Sequence, residues 1–186
     1  MDGLLILIAI TAVIVVLLVI IYNRLVALRN TTRQAWSDIE VQLKQRQDLV
    51  PQLVNTVKGY ASHESETFEA VIEARQSASA ATTVEGQARA EGMLGQALGR
   101  LFALAEAYPE LKANQNFLQL QDQLSDIENK IAASRRFYNN AVQEYNTATE
   151  QFPAVLIAGP MNFEQREHFE APEGREMLQT PVEVTF

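Results

Sequence analysis

The chain has 186 residues, with 15 basic against 23 acidic side chains, a net charge of -8, no cysteine, two histidines and one tryptophan. That length suits one domain, or one domain with an appendage. Zero cysteine excludes a disulfide framework, a thiolate zinc or iron–sulfur centre and a cysteine nucleophile. The acidic balance excludes a general nucleic-acid binder, which needs a net basic face.

The mean hydropathy of -0.08 averages two unlike parts. No charged residue occurs from Gly3 to Asn23, and Leu4 to Tyr22 reads LLILIAITAVIVVLLVIIY, with only Thr11 and Tyr22 polar. At ~1.5 Å per residue this run crosses the ~30 Å hydrocarbon core of a bilayer. A cleavable signal peptide would need a basic lead, a shorter apolar run and a small-residue cleavage site. Here Asp2 is the only charge before the run, and bulky Val-Ile-Ile-Tyr closes it. Residues 1–23 are therefore expected to be an uncleaved transmembrane anchor. Basic residues follow the span and none precedes it: Arg24, Arg29, Arg33, Lys44 and Arg46. The positive-inside rule then puts the bulk of the chain in the cytoplasm. Tyr22 stands where an interfacial aromatic belongs, and Arg24 and Arg29 have the reach to snorkel to headgroups.

Long intervals between the prolines at 51, 109, 153, 160, 172 and 181 carry helical periodicity. In the first, Leu25, Leu28, Ala35, Trp36, Ile39 and Leu43 share one face, with Thr32 filling the gap. A single helix is expected from about Leu4 to Gln47. Asp48 would cap a second helix with Pro51 in its first turn. Its stripe runs Val50, Leu53, Val54, Val57, Tyr60, Ala61, Phe68, Val71 and Ile72, fading around Ala80 to Thr83. A third helix is expected from Val84 to Ala107, with Met93, Leu94, Ala97, Leu98, Leu101, Leu104 and Ala105 inward. It contains Gly86, Gly92, Gly95 and Gly99. Gly95 and Gly99 are spaced to admit a close helix–helix or subunit contact, though glycine also softens a helix. The fourth helix, from Asn114, repeats at three or four residues through Phe117, Leu120, Leu124, Ile127, Ile131, Ser134, Tyr138, Val142, Tyr145, Thr149 and Phe152 until Pro153. The predicted fold is all-α: a transmembrane helix continuing into a long-helix antiparallel up-down four-helix bundle over residues 24–152.

Residues 153–186 form an irregular tail, apolar then acidic. Phe152 to Phe163 reads FPAVLIAGPMNF. After an up-down bundle it should emerge on the membrane side. There it either caps the open end of the bundle, dips into the membrane interface or covers a neighbouring subunit. Residues 153–186 carry six acidic and two basic side chains, whereas residues 24–46 carry five basic and two acidic. The last six residues, Pro181 to Phe186, alternate like a strand.

These residues resemble the LemA family of bacterial membrane proteins. The matching stretches are Tyr22–Glu64, Tyr108–Asn146 and Phe152-Pro153, together with the closing Pro-x-Val-x-x-Phe-like end. One departure is Met161-Asn162-Phe163, where the family tends to place a glycine before the aromatic. Another is the glycine content of the third helix. The resemblance implies one N-terminal span followed by a long-helix antiparallel bundle, and no established catalytic activity.

Catalytic templates are missing from the inventory. There is no G-x-S-x-G elbow and no P-loop. His63-Glu64 is followed by Ser65-Glu66, so H-E-x-x-H is absent. His63 and Glu66 are expected on one helix face, but a carboxylate-bridged metal centre wants Glu-x-x-His on two helices with a Glu on each of the others, and only one His lies within the bundle. No catalytic residue, metal site or cofactor is therefore expected. Trp36, on the apolar stripe, is a candidate core or interface anchor. Asp38, Glu128 with Asn129, and Arg135 or Arg136 are candidates for an inter-helix ion-pair network that fixes register. Tyr138 and Tyr145 share a stripe, and Gly95, Gly99, Phe152 and Phe163 complete the candidate core or interface set. Together these features point to a non-enzymatic, membrane-anchored scaffold with the lipid bilayer and copies of itself as partners. The alternative is a monomeric adaptor or sensor that binds another envelope protein.

Overall fold

The computed structural model describes residues 2–170. Among them the regular elements are all helical, so the chain is all-α: α1 Asp2–Lys58, α2 Ser65–Ala80, α3 Val84–Ala105, α4 Pro109–Lys112, α5 Gln115–Glu150 and α6 Val155–Ala158. The strand-like alternation of residues 181–186 lies outside the described residues. The chain divides into two compact units. Unit 1 takes the chain up to Ser37 together with Phe137–Glu167, and unit 2 takes Asp38–Arg136 and the chain from His168.

α1 corrects the expected break at Asp48. It runs unbroken for 57 residues with Pro51 inside it, about 85 Å at 1.5 Å per residue. Its stripe keeps a spacing of three or four from Leu25 through half-buried Leu28 to Thr32, Ala35, Ile39, Leu43, Arg46, Val50, Leu53 and Val57. A proline in mid-helix leaves the carbonyl four residues back without its N–H donor. Here that carbonyl belongs to Gln47, and the Arg75 Nε of α2 donates to it at 2.7 Å. The helix therefore continues because a side chain from another helix replaces the missing donor. Arg75→Ala is expected to destabilise the protein by about 2 kcal/mol, as loss of a charged donor to a buried acceptor does. In a Pro51→Ala background most of that cost should vanish, because the residue 51 N–H returns to Gln47. Urea unfolding of the two single variants and the double variant measures this coupling.

The second expected helix is also interrupted. α1 ends at Lys58, and residues 59–64 turn before α2 begins. Tyr60 and Ile72, both assigned to the inward stripe, are exposed. Tyr60 instead accepts a hydrogen bond from Asn114 Nδ2 at 2.9 Å. His63 lies in the turn, so it shares no helix face with Glu66. α3 starts at Val84 as expected, and the Thr83 side chain caps it by accepting from the Gly86 N–H at 3.0 Å. A Cβ at Gly86 would come within 2.8 Å of the Thr83 hydroxyl oxygen, so glycine makes room for this cap. Met93, expected inward, is exposed. Pro109 opens the four-residue helix α4, whose Leu111 is fully buried. The Asn114 side chain then caps α5 by accepting from the Phe117 N–H at 3.1 Å.

The unit 2 core gathers Val50, Leu53 and Val57 from α1, Phe68 and Val71 from α2, Leu94, Leu98 and Leu101 from α3, Leu111, and Phe117, Leu120 and Leu124 from α5. In unit 1, Leu25 of α1 packs with Tyr145 and Ala148 of α5, and with Ala154, Ala158 and Phe163. Residues 4–20 of α1 are all exposed; Leu4 is 65% exposed. α1 is the one described helix long and apolar enough to cross a membrane.

Candidate functional site

Two arrangements stand out, one in each unit. In unit 2, four helices send polar side chains to one buried point. Arg46 of α1 and Glu91 of α3 are each only 5% exposed. The Arg46 guanidinium is paired with the Glu91 carboxylate. It also donates to the Glu91 backbone carbonyl at 3.1 Å and to Glu128 Oε1 of α5 at 2.5 Å. The other Glu91 oxygen accepts from Gln47 Nε2 at 2.8 Å and Gln87 Nε2 at 2.9 Å. Gln47 in turn accepts from the Ser79 hydroxyl of α2 at 2.9 Å. Burial alone would lower the Arg46 pKa. The two carboxylates outweigh it and hold the charge more firmly than usual.

This network corrects the expected one. Glu128 takes part, but Asp38 is exposed, and Asn129 and Arg136 are exposed on α5. Arg135 is half-buried without an ion pair among the described residues, and its guanidinium lies 5.0 Å from the centre of the Phe169 ring. Burial and the nearby Arg46 charge push its pKa down. By type alone Arg46 reads as a membrane-proximal charge, and nothing in its type marks Glu91. Both occupy stripe positions, Arg46 between Leu43 and Val50 and Glu91 between Ala88 and Leu94, and that spacing marks them as inward. Beside the network is a groove of about 400 Å³ lined by Leu98, Phe102, Leu124, Ser125 and the two glycines Gly95 and Gly99. Both glycines are exposed, and a Cβ on either would meet nothing within 4 Å. Among the described residues they make no close helix contact.

In unit 1 the residues after α5 fold back onto α1. α5 ends at Glu150, two residues short of Phe152, which is 80% exposed rather than inward. The chain then turns through α6. The Phe163 N–H returns to the Ala158 carbonyl at 2.9 Å. Asn162 takes the left-handed conformation with φ 60°, so asparagine makes the turn at the position where glycine was expected. Phe163 is thereby buried. Its ring meets Tyr22 edge-on at 5.6 Å, and the Arg29 guanidinium lies 5.0 Å from its centre. Arg24 and Arg33 are exposed. Trp36 is half-buried against Tyr138, with ring centres 5.3 Å apart.

α5 pins the following segment. Asn146 accepts from the Arg166 N–H and donates to the Arg166 carbonyl, both at 2.9 Å, and the Tyr138 hydroxyl donates to the Glu167 carbonyl at 2.9 Å. Burial pushes the Tyr138 and Tyr145 hydroxyls above their ordinary pKa, against the pull of Arg166. Asn146 was absent from the candidate set, although it follows Tyr145 as Asn139 follows Tyr138.

Comparison with known proteins places this chain. It is 27% identical to the magnetosome protein MamQ of Magnetospirillum gryphiswaldense, covering 86% of this chain and 69% of that protein. It is 28% identical to magnetosome protein MamQ 2 of Paramagnetospirillum magneticum over the same shares. It is 27% identical to protein LemA of Metamycoplasma hominis, covering 81% of this chain and 69% of the relative. The LemA family model matches residues 35–186, and the chain belongs to the LemA family.

Proposed function

We propose that this protein is a non-enzymatic scaffold, anchored in the bacterial inner membrane by the N-terminal part of α1, with its bulk on the cytoplasmic side. It self-associates there to organise or shape a membrane patch. The carrying observation is the continuity of α1. One unbroken helix holds both the exposed apolar run and a buried stripe. The polar network in unit 2 joins Arg46, Glu91, Gln47, Gln87 and Ser79 across the helices and is built into the packing, as a register-fixing device would be. The names of the relatives, magnetosome protein and LemA, name no reaction.

The α3–α5 groove supports the self-association reading, because an apolar-walled channel of that size opens on exposed glycines. Gly95→Leu with Gly99→Leu tests it. The positions have room, and each replacement removes a helix penalty of ~1 kcal/mol. The variant should therefore fold with equal or greater thermal stability. Light scattering in mild detergent should show wild-type mass rising with concentration and the variant shifted toward the monomer. A wild-type protein that stays monomeric at high concentration would overturn self-association in favour of the adaptor reading.

A further inference from the structure

The geometry points to a second membrane contact in this chain: residues 152–161 form an apolar wedge that enters the lipid headgroup–acyl boundary beside α1. The inference rests on the anchor reading of α1 and assigns a lipid-binding role to a segment outside the span. Residues 152–163 contain no charged side chain. Their inward half, Ala154, Ala158 and Phe163, is buried in the cluster with Leu25, and Ile21 packs against the same cluster. The segment therefore sits where the exposed apolar run of α1 ends. Its outward half is apolar too: Phe152, Val155, Leu156 and Met161 are all at least 48% exposed. In water such a patch is unfavourable, but here it adjoins the apolar run itself. Side chains of this kind on a short helical turn suit the interface, where a few ångströms of depth bury them.

The surroundings specify a lipid surface. Tyr22, with its ring against Phe163, is an aromatic at the end of the apolar run. Arg24 and Arg33 are exposed within the next turns of α1, where their charges complement anionic headgroups. Arg29 lies over the Phe163 ring and ties the basic side of α1 to the wedge. The wedge is held rigidly, since Phe163 and the Asn146 clamp on Arg166 fix both the turn and the chain leaving it.

The chain has no cysteine, so a single introduced thiol is a unique label. Full-length Leu156→Cys, Val13→Cys and Asp126→Cys variants would each carry an environment-sensitive fluorophore. They would be reconstituted in vesicles of phosphatidylcholine and phosphatidylglycerol containing nitroxide lipids. Leu156 and Asp126 are exposed, so neither substitution disturbs the core. The expected result is strong quenching of the residue 156 label by shallow nitroxides, quenching of the residue 13 label by deep ones, and none at residue 126. A residue 156 label quenched no more than residue 126, with residue 13 still quenched, overturns the wedge and leaves the anchor standing. A blue-shifted but unquenched residue 156 label also overturns it, because protein rather than lipid then covers the patch. Loss of quenching at residue 13 overturns the anchor reading itself.

Discussion

Arg46→Ala is expected to destabilise the protein by about 3–5 kcal/mol, the penalty for leaving a buried carboxylate without its cation. Glu91 is only 5% exposed, and its remaining donors are the amides of Gln47 and Gln87. The Glu91 backbone carbonyl loses a donor as well. Glu128→Ala should cost far less, because about half of that side chain is in water and its pair with Arg46 is screened. The diagnostic variant is Arg46→Leu with Glu91→Gln. It removes both charges, keeps an acceptor for Gln47 and Gln87, and should recover most of the loss. Urea unfolding followed by circular dichroism would show strong non-additivity between the two sites. An Arg46→Ala protein as stable as wild type would mean that the network does not hold the four helices in register.

The second large effect is expected at Phe163. Phe163→Ala removes a buried ring that touches Tyr22, Arg29 and the Leu25–Tyr145 cluster. Truncations of this kind cost about 3–5 kcal/mol. The loss should be local. Hydrogen exchange in detergent should speed up across residues 152–166 and at the α1 residues near Leu25, while the amides of Leu94 to Leu101 in unit 2 keep their protection. Uniform acceleration through both units would contradict the division into two compact parts. Phe163→Leu, which keeps much of the volume, should retain most of the protection.

The apolar run of α1, the all-helical class and most of the buried stripes were legible in the sequence, because each rests on short-range periodicity. Leu25, Ile39, Leu43, Leu94, Leu101, Leu124, Val142 and Tyr145 are all buried, and all fall on three–four spacing. The errors came where a local rule met a distant partner. Pro51 reads as a helix start because an interior proline costs about 3 kcal/mol. It sits within α1 because Arg75, 28 positions beyond Gln47, supplies the missing donor. Arg46 reads as a membrane-proximal charge and Glu91 draws no reading by type; only their stripe positions signal burial. Phe152 extends the α5 pattern by one step, but the chain has already left the helix. Asn162 shows the reverse case. The sequence lacks the family's glycine, yet asparagine tolerates a positive φ and the turn forms.

The most direct measurement of the proposed role is electron cryomicroscopy of the full chain in vesicles of native-like lipid at rising protein density. A scaffold predicts clusters of contacting protomers on the membrane that grow with density, with the vesicle surface ordered or deformed beneath them. Single chains scattered evenly on undisturbed vesicles at every density would contradict it.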